Sequence, residues 1–88
     1  MYLHLGSSVV IRQRDVVGIF DLDNTTASRI TRDLLTRAQR AGQVVTVGED
    51  LPKSFLLCRD GAGKTTVYLS QLSPATLLKR MESGSFTV

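Results

Sequence analysis

The first twenty residues combine short apolar runs with polar breaks, a pattern typical of β-strands. Weak alternation over 2–5, the β-branched run 9–11 and the apolar run 16–20 predict three strands. A glycine-serine turn at 6–8 and the polar segment 12–15 separate them. Because both connections are short, we expect the three strands to form a meander.

Residues 27–41 repeat apolar positions at intervals of three and four, which predicts an amphipathic helix. Turn and capping residues at 23–26 precede it, and Gly42 follows where a left-handed helix C-cap is expected. Leu35 lies at the edge of the apolar stripe. The predicted buried stripe consists of Ala27, Ile30, Leu34, Ala38 and Ala41.

The second half predicts three more strands, over 44–47, 54–59 and 65–69, and a short helix from Pro74 to about Met81. Ser73 is the expected N-cap of that helix, and the glycine-rich turn 60–63 joins the last two strands in a hairpin. The order β-β-β-α-β-β-β-α predicts an α+β fold of short antiparallel strands with two helices. We expect one domain over residues 1–82 and a flexible tail over 83–88.

Length and composition limit the possible protein classes. A chain of 88 residues has room for one modest core, and 42% apolar residues argue against wholesale disorder. No apolar run is long enough to span a membrane, and residues 1–5 lack the features of a secretory signal. The single cysteine, Cys58, lies in an apolar run, which predicts a buried, reduced thiol in a cytoplasmic protein.

Residues 18–26 match the first motif of haloacid-dehalogenase-type phosphatases. In such enzymes Asp21 would be the nucleophile and Asp23 the acid/base. The fold also needs a doubly wound sheet, a downstream lysine and a further acidic pair for magnesium, and the strands that follow here form hairpins. We therefore expect the two aspartates to end a strand and begin a capping turn.

Residues 61–66 resemble the end of a phosphate-binding P-loop. The full motif needs a glycine where Cys58 stands, and a helix directly after the lysine. The residues after Lys64 are β-branched and predict a strand. We therefore expect a hairpin tip and no phosphate site.

The remaining single residues indicate no catalytic site, metal site or cofactor, and no small-molecule substrate. His4 is the only histidine, so no histidine cluster can form. The four strand aromatics are expected in the core or an interface rather than stacked on nucleic-acid bases. They are Tyr2, Phe20, Phe55 and Tyr68.

The first helix has four arginines and one aspartate, and its charge of +3 equals the net charge of the whole chain. The arginines fall within an arc of roughly 140° opposite the apolar stripe. This face could contact DNA phosphates, meet an acidic protein surface, or remain solvated. Arg12 and Arg14 form a second basic site, with their side chains on one side of an extended segment. Lys53 is a further basic residue and follows the rigid Pro52. The helix arginines are Arg29, Arg32, Arg37 and Arg40.

Four segments resemble the RemA/RemB-like family of biofilm regulators. They are Met1–Gly6, Arg14–Asp21, the Pro-Lys-Ser triplet at 52–54, and Leu72–Leu77 with the basic pair that follows. The likeness runs in order from Met1 to about Met81. It implies a regulator of extracellular-matrix genes without enzyme activity, which assembles into rings and binds DNA through repeated basic surfaces.

The resemblance also implies site residues. Family members have a DNA-binding arginine just before the third strand, where Arg14 stands here. They also have an arginine pair after a glycine in the loop before the central hairpin, where this chain has Glu49 and Asp50. The charge is reversed there, and Lys53 is the nearest basic replacement.

Two hypotheses follow for the function. In the first, a homo-oligomer binds DNA with low sequence specificity through Arg12, Arg14 and Lys53, with the helix arginines as secondary contacts. In the second, the oligomer binds and modulates another regulator without touching DNA. Glu49 and Asp50 favour the second hypothesis; Arg12 and Arg14 favour the first.

Overall fold

A computed structural model describes residues 1–22 and 29–83. Its strands are β1 (Tyr2–Gly6), β2 (Val9–Arg12), β3 (Val16–Asp21), β4 (Val44–Thr46), β5 (Ser54–Arg59) and β6 (Thr65–Ser70). Its helices are α1 (Arg29–Arg40) and α2 (Pro74–Ser83), with a 3-10 turn at Gln13–Asp15 between β2 and β3. The predicted α+β class and element order are confirmed.

Two of the predicted features fall wholly or largely outside the described residues. The first is the capping segment 23–26, together with Ala27 of the predicted stripe. The second is the predicted tail, apart from Ser83, which is the last residue of α2.

The predicted meander is wrong. Within the part of the chain that the structure describes, β1 and β2 pair only with each other, and β3 pairs with β5 in a four-stranded sheet of order β3-β5-β6-β4. The 3-10 turn redirects the chain after β2, so β3 leaves the hairpin and borders the most deeply buried strand, β5. Strand β4 runs parallel to β6. The chain leaves the sheet after β3, crosses over through α1 and returns in the same direction as β4. The predicted hairpin of β5 and β6 is confirmed.

Alternation along β5 divides the core between the two faces of the sheet. Phe55 points to one face, where it packs with Val67 and with Ala38 of α1. The ring of Phe20 on β3 stacks on the Phe55 ring, with 4.6 Å between the ring centroids. Leu56 points to the opposite face and is fully buried there.

The hairpin β1–β2 and helix α2 cover that second face. Leu3, Leu5 and Leu77 are buried against Leu56, so the sheet is enclosed by α1 on one side and by the hairpin with α2 on the other. The hydroxyl of Ser70 donates a 3.0 Å hydrogen bond to the carbonyl of Leu5, which ties the hairpin to β6. The buried Ser70 hydroxyl is thereby satisfied.

Local capping signals in the sequence predict the end of α1 and the beginning of α2. Gly42 lies two residues after the end of α1 and has φ of +69°, a conformation that a residue with a β-carbon rarely adopts. The Ser73 hydroxyl accepts a hydrogen bond of 3.2 Å from the Thr76 backbone N–H and caps α2. Ala41 is exposed rather than part of the buried stripe, because it follows the last residue of α1.

The glycine-rich segment is confirmed as a hairpin tip. One carboxylate oxygen of Asp60 accepts hydrogen bonds of 2.9 Å from the backbone N–H groups of Ala62 and Lys64. Strand β6 begins at Thr65, so no helix follows Lys64 and the segment is no P-loop.

The sheet also fails to match the haloacid-dehalogenase-type fold. Two of its three strand pairings within the described residues are antiparallel, whereas that fold needs a doubly wound parallel sheet. Neither described helix has the length and apolarity that crossing a bilayer would require.

Candidate nucleic-acid interface

The segment that carries Arg12 and Arg14 is a fixed turn. Residues Gln13–Asp15 form one turn of 3-10 helix, which corrects the predicted extended conformation. The Gln13 backbone N–H donates to the carbonyl of Met1 at 3.0 Å. The Gln13 side-chain amide donates to the carbonyl of Met81 at 3.2 Å, at the end of α2. These bonds attach the turn to both the first strand and the last helix.

The turn brings Arg12 and Arg14 to one surface pocket of about 300 Å³, although the segment is not extended. Met1 and Tyr2 complete its lining. Both arginines are exposed. Guanidinium groups donate hydrogen bonds in a fork that matches the oxygens of a phosphate or a carboxylate. This arginine pocket can therefore hold an anion of either kind.

Tyr2 belongs to the arginine pocket, and the sequence interpretation missed it. The sequence predicts that Tyr2 lies in the core or an interface, and its 63% exposed surface excludes the core. Tyr2 lies directly across the hairpin from Arg12, so the two side chains share one face. The sequence contains a signal for this pairing. Leu3 and Ile11 are the next pair along the hairpin, and burying both apolar side chains on the core face fixes the register of Tyr2 with Arg12. An exposed phenol beside arginines can stack on a nucleic-acid base.

Lys53 lies at the opposite end of the sheet from the arginine pocket. It precedes Ser54, which pairs with Asp21 at the end of β3, while the pocket lies next to the beginning of β3. Six residues of β5 span roughly 20 Å, so one phosphate cannot contact both places. The structure therefore does not bring Lys53 together with Arg12 and Arg14 within one chain.

The loop beside Lys53 is acidic and well anchored. In the amide orientation that satisfies both neighbours, the side-chain carbonyl of Gln71 accepts hydrogen bonds from the backbone N–H groups of Glu49 and Asp50. Glu49 and Asp50 are both exposed, and 87% of the surface of Leu51 is exposed beside them. We call residues 49–51 the acidic loop.

The arginines of α1 form a separate surface. All four are exposed, as their spacing predicted, and they lie on the face of the sheet that is opposite the hairpin. They cannot share one anion with the arginine pocket. They are Arg29, Arg32, Arg37 and Arg40.

A crevice of about 250 Å³ adjoins the arginine pocket, with Arg12 lining both. Cys58, Tyr68 and Asp15 also line it. Burial, and secondarily the carboxylate of Asp15, raises the pKa of the Cys58 thiol from its ordinary 9.0 to about 11. Burial raises the pKa of Tyr68 as well, with smaller contributions from Cys58 and Asp15. The thiol is buried, as its apolar surroundings in the sequence predicted, and it is protonated at neutral pH.

The raised pKa of Cys58 predicts a loss of stability at high pH. The folded protein holds the thiol proton more tightly than the unfolded chain, so its contribution is complete below pH 9 and lost between pH 9 and about 11. We expect the free energy of unfolding to fall by on the order of 2 kcal/mol across this window. Urea unfolding at pH 8 and pH 11 measures the fall, and Cys58→Ala should show a smaller one. Equal falls in both proteins would contradict the assignment to Cys58.

Comparisons with known proteins show the family to which the chain belongs. Residues 2–81 match the family model described as RemA-like, extracellular matrix regulatory protein A-like. The chain is also 35% identical to extracellular matrix regulatory protein B of Bacillus subtilis (strain 168) over 82 residues, which cover 93% of this chain and 91% of that protein. The chain belongs to the RemA-like family.

Membership of the RemA-like family indicates the class of protein to which the arginine pocket belongs. The names of the family and of the relative are those of regulators of the extracellular matrix. Among the described residues, no group of three or more His, Cys, Asp or Glu side chains could hold a metal ion. The match includes the turn with Arg12 and Arg14 and also the acidic loop.

Proposed function

We propose that the protein is a ring-forming, non-enzymatic regulator of transcription that binds DNA in the cytoplasm and controls extracellular-matrix genes. Its DNA contacts are Arg12 and Arg14 of the arginine pocket, with Tyr2 beside them. Lys53 and the arginines of α1 are additional contacts on other surfaces. The binding is of low sequence specificity, because contacts to phosphate carry no base information.

One observation carries this proposal. Arg14 on the 3-10 turn, Arg12 at the end of β2 and the exposed ring of Tyr2 on β1 line one pocket, and Gln13 of the turn is hydrogen-bonded to Met1 and Met81. Because the backbone of the turn is already held in place, the ordering cost of binding a phosphate falls mainly on the two arginine side chains. One such site is weak, and repetition around an oligomer makes the total binding strong. The family's regulatory role supports the same conclusion.

Arg14→Ala is expected to weaken DNA binding about tenfold at low ionic strength, because every subunit then binds one phosphate fewer. The slope of log affinity against log salt concentration should also become less steep by roughly 1 for each phosphate that is no longer bound. Fluorescence anisotropy with a labelled duplex, titrated at several salt concentrations, measures both quantities.

Arg59→Ala is the matched control. Arg59 is also an exposed arginine at this end of the sheet, but it does not line the arginine pocket. We expect it to change affinity by less than about threefold. Equal losses of affinity for the two variants would show that the pocket has no special role, and no binding by the wild-type protein at low salt would refute the proposed function.

A second function is favoured by the acidic loop. Glu49 and Asp50 are exposed and repel phosphate, which favours an oligomer that binds another regulator without contacting DNA. A wild-type protein that assembles but binds no duplex at low salt would support this alternative.

A further inference from the structure

Two surfaces with complementary chemistry lie at opposite ends of the sheet. The arginine pocket has two guanidinium groups and the exposed side chains of Met1 and Tyr2. The acidic loop has two carboxylates next to an exposed leucine side chain. Each surface therefore combines a charge with an apolar group, and the charges are of opposite sign.

The acidic loop cannot reach the arginine pocket of its own chain. Its base is fixed by a 2.8 Å hydrogen bond from the Val47 N–H to the Leu69 carbonyl and by another from the Lys53 N–H to the Ser70 carbonyl. Gln71 holds the backbone between these points. The length of β5, roughly 20 Å, then separates the loop from the pocket. A contact between the two surfaces must join two copies of the chain.

We propose that the acidic loop of one copy occupies the arginine pocket of the next. Glu49 and Asp50 accept hydrogen bonds from Arg12 and Arg14, and Leu51 packs against Met1 and Tyr2. Such a contact is heterologous, so each copy uses its pocket for one neighbour and its loop for the other. Carboxylates are suited to this pocket because a guanidinium binds carboxylate and phosphate oxygens with the same fork of donors.

The contact gives the assembly a means of regulating its own DNA binding. This part of the inference rests on the proposed function, because the loop carboxylates compete with DNA phosphates for the same two arginines. Binding at an occupied pocket requires the loop to leave. Neutralising the loop should therefore raise DNA affinity without adding a cation.

The contact is tested first without DNA, by exchanging charges between the two surfaces. The variant R12E/R14E has two acidic ends, and the variant E49R/D50R has two basic ends. Each alone should self-associate at least tenfold more weakly than wild type at low ionic strength. Mixed in equal amounts, they should recover wild-type association, because every basic end then finds an acidic end. Sedimentation velocity measures the association, and circular dichroism checks that both variants fold.

The charge exchange can either support or overturn the contact between copies. Restored association in the mixture supports the contact, and stronger recovery at low salt than at high salt identifies it as electrostatic. Wild-type association by either variant alone overturns the contact. A mixture that associates no better than its components overturns it too.

Cross-linking provides a second test that needs no change of charge. In the variant Y2C/L51C, mild oxidation should produce a reducible ladder of linked chains, because positions 2 and 51 of neighbouring copies meet. The native Cys58 is buried and remains in both proteins. L51C/L78C is the control, since Leu78 is also exposed but lies on α2. Equal ladders from the two variants would overturn the contact.

Competition with DNA is tested separately with E49Q/D50N. The probe is a labelled duplex too short to reach two pockets, so that loss of assembly does not lower its affinity. We expect at least a threefold gain in affinity for this duplex, against little change for the control E82Q, whose exposed carboxylate lies on α2. No gain over E82Q overturns the competition. If no variant binds DNA while the charge exchange restores assembly, the proposed function fails and the contact between copies stands.

Discussion

Phe55→Ala is expected to destabilise the protein by about 3–5 kcal/mol. The Phe55 side chain is fully buried on the central strand β5 and contacts both Phe20 and the α1 side of the core. Alanine removes this ring and leaves a cavity that neighbouring strands cannot fill. A domain of this size has a total stability of roughly 4–13 kcal/mol, so much of it would be lost.

The measurement is urea unfolding at 25 °C, followed by circular dichroism, together with Tm. We expect Tm to fall by about 15–30 °C. Phe55→Leu keeps more of the buried volume and should cost less than half as much. Leu78→Ala is the control outside the core, because half of the Leu78 surface is exposed, and it should cost less than about 1 kcal/mol. A Phe55→Ala loss no larger than this control would contradict the assignment of Phe55 to the core.

Gly48→Ala is expected to cost about 2–4 kcal/mol of stability, for two separate reasons. Gly48 has φ of +87°, which alanine adopts only with strain. A β-carbon would also overlap the side-chain amide of Gln71. Moving that amide breaks the hydrogen bonds that hold the acidic loop, at about 1 kcal/mol each.

Two other glycines separate these causes. Gly42 has φ of +69° but no atom within 4 Å of a β-carbon, so Gly42→Ala measures the backbone strain alone. Gly61 has neither the positive φ nor a close neighbour, and Gly61→Ala should be nearly neutral. We expect the losses in free energy of unfolding to rank Gly48, then Gly42, then Gly61. Equal losses at 48 and 42 would show that Gln71 plays no part.

Features governed by neighbouring residues could be predicted from the sequence. Gly42 ends α1 because a left-handed residue follows the last turn, and Ser73 begins α2 because its hydroxyl meets an N–H three residues ahead. The tip at 60–64 is equally local, since Asp60 bonds to the backbone of its own turn. These signals depend on a few adjacent positions, and tertiary contacts did not override them.

The pairing of β3 with β5 could not be derived in the same way. Both β2 and β5 are apolar enough to be partners of β3, and alternation does not choose between strands far apart in sequence. The 3-10 turn at Gln13–Asp15 directs β3 away from β2 and towards β5, but its polar sequence resembles that of an ordinary connection between strands. Without the pairing of β3 with β5, the sequence does not show that Lys53 and Arg14 are far apart. Their distance follows from the antiparallel direction of that pairing.

The late arrival of β5 has a consequence for the newly made chain. Thirty-three positions separate Asp21 from its partner Ser54, and ribosomes add about 5–20 residues per second. Strand β3 is therefore complete for about 2–7 seconds before its partner begins to appear. During that time its apolar residues have no sheet to join, and an unpaired strand of this kind invites aggregation. The order of the strands along the chain therefore lengthens the time for which the newly made β3 needs protection by chaperones.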